Sequence, residues 1–266
     1  MTDLAVIMSI YKNDSLDFVR QSVQSILDQT FSNFHYYLIF DGPVAADVDS
    51  YVSSLTDERI KFFRLENNSG LAVALNFLLE RVMSNPEYKF IARMDADDIS
   101  LPERFEKQRS YLIENPEITV LGCWYEEIDE SGKHLSYRKL PTDHESLRKR
   151  YFTRTPFAHP SVMYRRELIE KAGYYPTNTL LMEDNVLWGR ALLNGLIFGN
   201  IQEVLLKFRI DSLFIKRRSG FKYGWNFITT KYSLLDRLNP GLSAYLIVPL
   251  IGIFKMMPKF IIKYFY

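Results

Sequence analysis

A chain of 266 residues with 47% hydrophobic content is long enough to bury a full core and too apolar to be disordered. Its 33 Lys and Arg against 32 Asp and Glu leave a net charge of +1, which gives no support for a polyanionic partner such as nucleic acid. The single cysteine, Cys123, can close no internal disulfide; it lies in an apolar run, as a buried thiol does, and points to a reducing compartment.

Leu4 to Ile10 is an unbroken, β-branched run and reads as a strand buried on both faces rather than a signal peptide, since no basic region precedes it. A helix fits Ser15 to Gln29, with Leu16, Val19, Val23, Ile26 and Leu27 on one stripe. Phe34 to Phe40 is a second strand that ends in a turn at Asp41-Gly42-Pro43. A helix over Ala45 to Leu55, a strand at Ile60 to Leu65 and a helix from Gly70 to Val82 follow, and then the short strand Phe90-Ile91-Ala92. Repeated β-α units predict an α/β fold with a largely parallel sheet and helices on both faces; ligands bind such sheets beyond the carboxyl ends of the strands. Ser9, Tyr11, Asp41 and the acids after residue 94 all belong to such ends.

The second half is less regular. It predicts a helix from Leu101 to Glu114, a strand at Thr119 to Tyr125, a hairpin turn at Ser131-Gly132 and a helix over Glu145 to Tyr151. A short strand follows Pro156 to Val162, the helix after it stops at Gly173, and a further helix opens at Met182-Glu183-Asp184 and closes at Gly195. From Lys207 onward there are eleven Lys and Arg against two acids, Asp211 and Asp236, so a basic, aromatic tail follows an acidic body. Leu238 to Phe254 carries no charge, yet it contains two prolines and falls short of the ~20 residues that span a bilayer. Lys255, Lys259 and Lys263 alternate with Phe254, Phe260, Tyr264 and Phe265, a pattern suited to a membrane surface; packing on the catalytic domain or a second subunit is the other reading.

The stretch from Arg93 to Arg104 carries the chemistry. Asp95, Asp97 and Asp98 fall within four residues at a strand end, where like charges repel unless something positive joins them, and a divalent cation is the natural candidate. A capping box, with Ser100 as the cap, Glu103 replying and Pro102 in the first turn, accounts for part of the stretch but gives no reason for Asp95 and Asp97.

Six pieces in order, Ser9 to Asn13, Phe40-Asp41-Gly42, Asn68-Ser69-Gly70 with Ala74 and Asn76, Asp95-Ala96-Asp97-Asp98 with Pro102 and Arg104, His159-Pro160-Ser161, and Glu183-Asp184 with Leu187-Trp188, resemble the family 2 glycosyltransferases of the GT-A fold. The resemblance covers residues 4 to about 215. It implies a catalytic domain over residues 1–223, with a nucleotide-sugar half to residue 100 and an acceptor half after it, and a helical tail from 224 to 266. It further implies an inverting enzyme that transfers a sugar from a nucleotide-diphosphate donor, a UDP-sugar foremost, to a glycan or lipid-linked glycan hydroxyl in bacterial surface polysaccharide synthesis.

By the same resemblance Asp97 would hold Mn or Mg, Asp95 would face the ribose or the metal, and Asp41 would accept from the base. Ser9 and Tyr11 would flank the base, with Gly70 and Ala96 also on the donor side. Asp184 matches the family's catalytic base, with Glu183 second, and His159 would line the acceptor side. The setting would be cytoplasmic, peripheral on the inner face of the membrane. Two departures stand out. The second strand end keeps one acid, Asp41, where relatives commonly have two, and Asp211 stands where many relatives have a histidine two residues past an arginine. The processive members' Gln-x-x-Arg-Trp string is absent, which implies transfer of one sugar. A sugar nucleotidyltransferase would want a glycine-rich phosphate loop after the first strand, and Ile10 to Asp14 has no glycine; a glycosidase or a non-catalytic nucleotide-sugar-binding protein are the other classes the acids could serve.

Overall fold

The computed structural model describes residues 2–179, 181–211, 214 and 218–257. The first half alternates β1 (Leu4–Ile10), α1 (Leu16–Leu27), β2 (Phe34–Phe40), α2 (Ala46–Ser53), β3 (Ile60–Arg64), α3 (Leu71–Met83) and β4 (Phe90–Asp95). Then come β5 (Ile99–Ser100), α4 (Arg104–Glu114), β6 (Ile118–Ile128), β7 (His134–Arg138), α5 (His144–Tyr151), β8 (Met163–Arg165), α6 (Glu167–Ala172), α7 (Glu183–Leu193) and β9 (Ile197–Arg209). Three helices close the described chain: α8 (Phe221–Tyr232), α9 (Leu235–Leu238) and α10 (Leu242–Met256).

Among the described residues nine strands form one sheet, ordered β3-β2-β1-β4-β8-β6-β9-β5, with β7 paired to β6. The first four strands are mutually parallel, so their carboxyl ends share one edge, and Ser9 lies beside Asp95 in the register. Period-two alternation sends Ala5, Ile7 and Ile91 to one face, under α3, and Leu4, Val6, Met8, Ala92 and Met94 to the other, under α1. Each fully buried aliphatic contributes about 1.5–3 kcal/mol, and both faces are covered.

The second half returns antiparallel: β8 runs against β4 and β6, while β9 lies parallel to β6 along most of its length, and β6 extends beyond the expected Thr119 to Tyr125. Ile99 and Ser100 pair with Lys207 and Leu206 of β9, so the acidic turn bridges the two halves of the sheet. This pairing overturns the capping-box reading. Ser100 is in a strand, its N–H donates to Ser25 Oγ (3.0 Å), and α4 begins only at Arg104 with no side-chain cap from Glu103. The cap comes from elsewhere in the fold: Phe105 N–H donates to Gln29 Oε1 (3.0 Å), while Gln29 Nε2 donates to the Leu101 carbonyl (2.8 Å).

The C-terminal helices are continuous with the catalytic core. Phe227, Leu235, Leu238, Ala244 and Val248 join Tyr151, Leu187 and Trp188 in one buried cluster. Helices α8 and α10 approach where Gly224 meets Gly252; a Cβ on Gly224 would come within 2.4 Å of the Gly252 carbonyl oxygen. The expected boundary at 223/224 therefore falls inside α8, and the expected interfacial residues Lys259, Phe260, Lys263, Tyr264 and Phe265 lie outside the described residues.

Candidate active site

Asp41, the first residue after β2, is buried, and its carboxylate accepts from the N–H groups of Ser69 (2.7 Å) and Gly70 (2.9 Å). Asn68 Nδ2 donates to the Asp41 carbonyl (3.2 Å). Gly42, at φ +80°, lets the two loops touch, because a Cβ there would sit 2.4 Å from Asn68 N. The aspartate thus ties the loop before α3 to the end of β2; its oxygens retain further acceptor capacity toward a ligand. Ser9 is half-buried at the end of β1 and Tyr11 is exposed just beyond it.

At the end of β4, one carboxylate oxygen from each of Asp95, Asp97 and Asp98 lies within 4.8 Å of the others. The turn is held from below by Ser22, whose hydroxyl donates to the Asp95 carbonyl (2.7 Å), and from the side by Arg209. The Arg209 N–H donates to Asp98 Oδ1 (2.7 Å) and Nε to the Asp97 carbonyl (2.8 Å); Nη2 reaches Gln21 Oε1 (2.9 Å), and the guanidinium lies over the Phe18 ring. Burial, with the charge of Asp95 next, pushes Asp97 up to about 6. Asp98 is pushed well above the usual carboxylate range by burial and then by the charges of Asp97 and Asp95, and its Oδ2 has no partner among the described residues. Half-buried Asp14, whose carboxylate accepts from the Tyr11 N–H (2.8 Å), is raised to about 8 by desolvation, with Asp97 and Asp95 adding to the shift. An oxygen-only, anionic and internally repelling donor set with a free buried oxygen fits a hard dication such as Mg or Mn.

Arg93 connects this cluster to the second acidic group. Two residues before Asp95 on the same face of β4, it is buried, forms an ion pair with Asp95, and leaves Nε and Nη1 without partners among the described residues. Its charge acts on Glu183 and on His159. Glu183 is raised by burial and then by the Asp184 charge; Asp95 also raises it, so the first turn of α7 and the strand-end acids lie within electrostatic reach of each other. Asp184 Oδ1 accepts from the Asn185 N–H (2.7 Å) and from Asn185 Nδ2 (3.0 Å). His159 Nε2 is paired with the Tyr175 hydroxyl (2.9 Å), and its ring meets the Trp188 ring edge to face; desolvation, reinforced by Arg93, keeps it neutral.

Several motif residues serve the scaffold. Asn76 pins the segment before α7, donating to the Tyr175 carbonyl (2.8 Å) and accepting from the Tyr175 N–H (2.9 Å). Arg104, fully buried and lowered to about 10 by burial, donates to the carbonyls of Arg93 (2.9 Å) and Val162 (3.3 Å) and so clamps β4 to the turn that carries His159. Asp211 lies just past β9, in a cleft with Asp129, Glu130, Ser131 and Ile210. Sequence reasoning missed Asp14, Arg93 and Arg209. Arg93 alone left a signal, a cation on the same strand face as Asp95 inside an apolar run.

The family model for Glycosyl transferase family 2 matches residues 5–173. The amylovoran biosynthesis glycosyltransferase AmsE of Erwinia amylovora is 34% identical over 231 residues, covering 86% of this chain and 83% of the relative. The Escherichia coli UDP-Gal:alpha-D-GlcNAc-diphosphoundecaprenol beta-1,3-galactosyltransferase is 35% identical over 230 residues, 86% of this chain and 82% of that one. Among solved structures, S. aureus TarS 1-349 in complex with UDP-GlcNAc superposes with a TM-score of 0.64 at 17% identity, over 91% of this chain and 73% of that one. The mannosyltransferase PcManGT of Pyrobaculum calidifontis, in complex with GDP-Man and Mn2+, gives 0.64 at 16%, over 94% and 73%. The longer TarS structure is covered to 40%. The fold is GT-A, and the chain, with a strand-end acid cluster and a second acidic pair that both feel the charge of Arg93, belongs to glycosyl transferase family 2.

Proposed function

We propose that the protein is an inverting, metal-dependent glycosyltransferase that moves one sugar from a UDP-sugar to a hydroxyl of a lipid-linked glycan in surface polysaccharide synthesis. The observation that carries this reading is that two acidic groups, Asp95-Asp97-Asp98 at a strand end and Glu183-Asp184 at a helix start, both come within reach of the buried Arg93 charge. Asp97 and Asp95 would hold the cation, with Asp98 completing the set; when bound, Mn or Mg supplies positive charge that stabilises a departing diphosphate. Ser9, Tyr11, Asp41, Gly70 and Ala96 form the nucleotide side. Asp184 takes the proton of the acceptor hydroxyl as its oxygen bonds to the anomeric carbon, and the electron pair of the broken C–O bond leaves with the diphosphate. One base opposite the leaving group is sufficient for inversion. Glu183 shapes the field around Asp184, and neutral His159 backs the acceptor wall. The UDP-sugar and lipid-diphosphate assignments take support from the Escherichia coli relative's substrates and from the UDP-GlcNAc complex of TarS.

A thermal-shift panel of UDP-galactose, UDP-N-acetylglucosamine, UDP-glucose and GDP-mannose, each with and without Mn or Mg, tests the donor reading. One UDP-sugar with metal should stabilise the protein, by about 2.7 kcal/mol at a hundredfold excess over its Kd, and Asp97→Ala should remove the effect. Stabilisation by none of the four, or equally without metal, would count against it.

The same reading includes a peripheral site on the inner face of the membrane. No helix among the described residues is long and apolar enough to cross a bilayer. On α10, however, Leu242 (88% exposed), Leu246 (72%), Leu250 (64%) and Ile253 (52%) line one helical face, and Phe221 and Trp225 of α8 stack in the open. Exposed Lys222 lies on α8 and exposed Arg237 on α9 in the connection to α10, which supplies cations for an anionic lipid surface. Vesicles containing anionic lipid should sediment the wild type, and L246E/L250E should stay in the supernatant; equal sedimentation of both would exclude this face.

A further inference from the structure

Lys231 on α8 is fully buried, and it lies outside the residues matched to the family. Its Nζ donates to Asn185 Oδ1 (2.7 Å) and sits 3.3 Å from the centroid of the Tyr151 ring. The Asn185 amide is thereby oriented, because its oxygen faces the lysine and its Nδ2 donates to Asp184 Oδ1 (3.0 Å). The backbone of Asn185 is fixed as well, since its carbonyl accepts from the Tyr151 hydroxyl (3.0 Å). Gly189, one turn further along α7, keeps that contact close: a Cβ there would lie 2.5 Å from the Tyr151 hydroxyl oxygen. A buried lysine amine with a single hydrogen-bonded partner among the described residues is costly to keep for packing alone, since a methionine of similar shape would fill the same space.

We infer that Lys231 is a positioning residue which, through Asn185, fixes the carboxylate of Asp184 with one oxygen engaged and the other directed to the acceptor. This rests on the reading of Asp184 as the base. The C-terminal helices, on this inference, complete the acceptor half of the active site rather than merely covering it. The charged and titratable groups around the lysine are Asp184 on α7, Tyr151 on α5 and Lys255 on α10; burial lowers the lysine well below its ordinary range, Lys255 adds to that, and Asp184 opposes it. Asp184 in turn has Glu183 and Tyr175 beside it.

The test compares Lys231→Met, Asn185→Ala and the double variant in UDP release from whichever panel donor binds with Mn, with water and with a synthetic GlcNAc-diphospho-lipid as acceptors. Each single variant should lose about 10- to 100-fold in kcat with the donor KM unchanged, and the double variant should lose little more, since both act along one chain of contacts. A folded Lys231→Met with wild-type kcat would overturn the inference, as would a fall in kcat tracked by equal losses in donor binding and thermal stability. Asp184→Asn is the reference arm: if it retains normal turnover, the assignment of the base fails, whereas an inactive Asp184→Asn beside a normal Lys231→Met sinks only the role of the lysine.

Discussion

The two acidic groups are built in opposite ways. The carboxylates at the ends of the parallel strands are tied down by backbone N–H groups: Asp41 by those of Ser69 and Gly70 in the loop before α3, Asp98 by that of Arg209 on β9. The acceptor-side pair stands at the start of α7, where the N-cap residue Met182 offers no side-chain bond and Leu181 takes a left-handed φ of 53°. What steadies that end comes from distant helices, Tyr151 of α5 and Lys231 of α8. On the proposed assignment, charge binding would rest on backbone geometry and proton transfer on side-chain packing. The two should respond to different substitutions.

The largest separation is expected from Asp184→Asn. The exchange keeps the shape of the side chain and removes the proton acceptor, so turnover should fall about 10³-fold, within the range ascribed to a positioned general base. Donor binding with Mn, measured by calorimetry, should stay within about twofold, because none of the strand-end contacts is touched. Loss of donor binding in step with turnover would erase the proposed division of labour between the two ends.

The same contrast explains what the sequence disclosed. β1 to β4 and the helices between them are legible because apolar runs and β-α alternation are local signals, and the acids at their ends inherit their position from the strands. Asp95-Ala96-Asp97-Asp98 was therefore found, and its companions were not. Asp14 and Arg209 are separated from the cluster by 80 residues or more of chain and carry no periodic signal; only the closure of α1 and β9 around the turn brings them in. The capping reading of Ser100 failed for a related reason. Local cap chemistry was present, but the pairing of Ile99 and Ser100 with β9 and the side chain of Gln29 supplied stronger partners from elsewhere in the fold. At the acceptor end the helix and its Glu183-Asp184 pair were readable, while Lys231 in a basic, aromatic tail looked like one more surface cation.

The smallest effect is also the one most confined to the donor end. Asp97 is raised in the folded chain to about 6, from an ordinary value of 3.8, so the folded protein holds this proton more tightly than the unfolded chain does. The stability linked to the protonated form is then full below about pH 4 and is lost as pH rises through about 6. A dication binds the ionised carboxylate and must displace that proton, so its apparent affinity should climb by about tenfold per pH unit up to about 6 and level off above it, more steeply where Asp98 also releases a proton. Mn titrations by calorimetry between about pH 5 and 7.5, in two buffers of different ionisation enthalpy, report both the affinity and the protons released. Asp97→Asn should bind Mn weakly, with a shallower pH dependence, whereas Asp184→Asn should reproduce the wild-type curve, since its carboxylate belongs to the other end. A flat Mn affinity over that range in the wild type would mean that the strand-end acids are already ionised and neutralised by Arg93 and Arg209. The cluster would then be an internal ion-pair network, with no need of a metal.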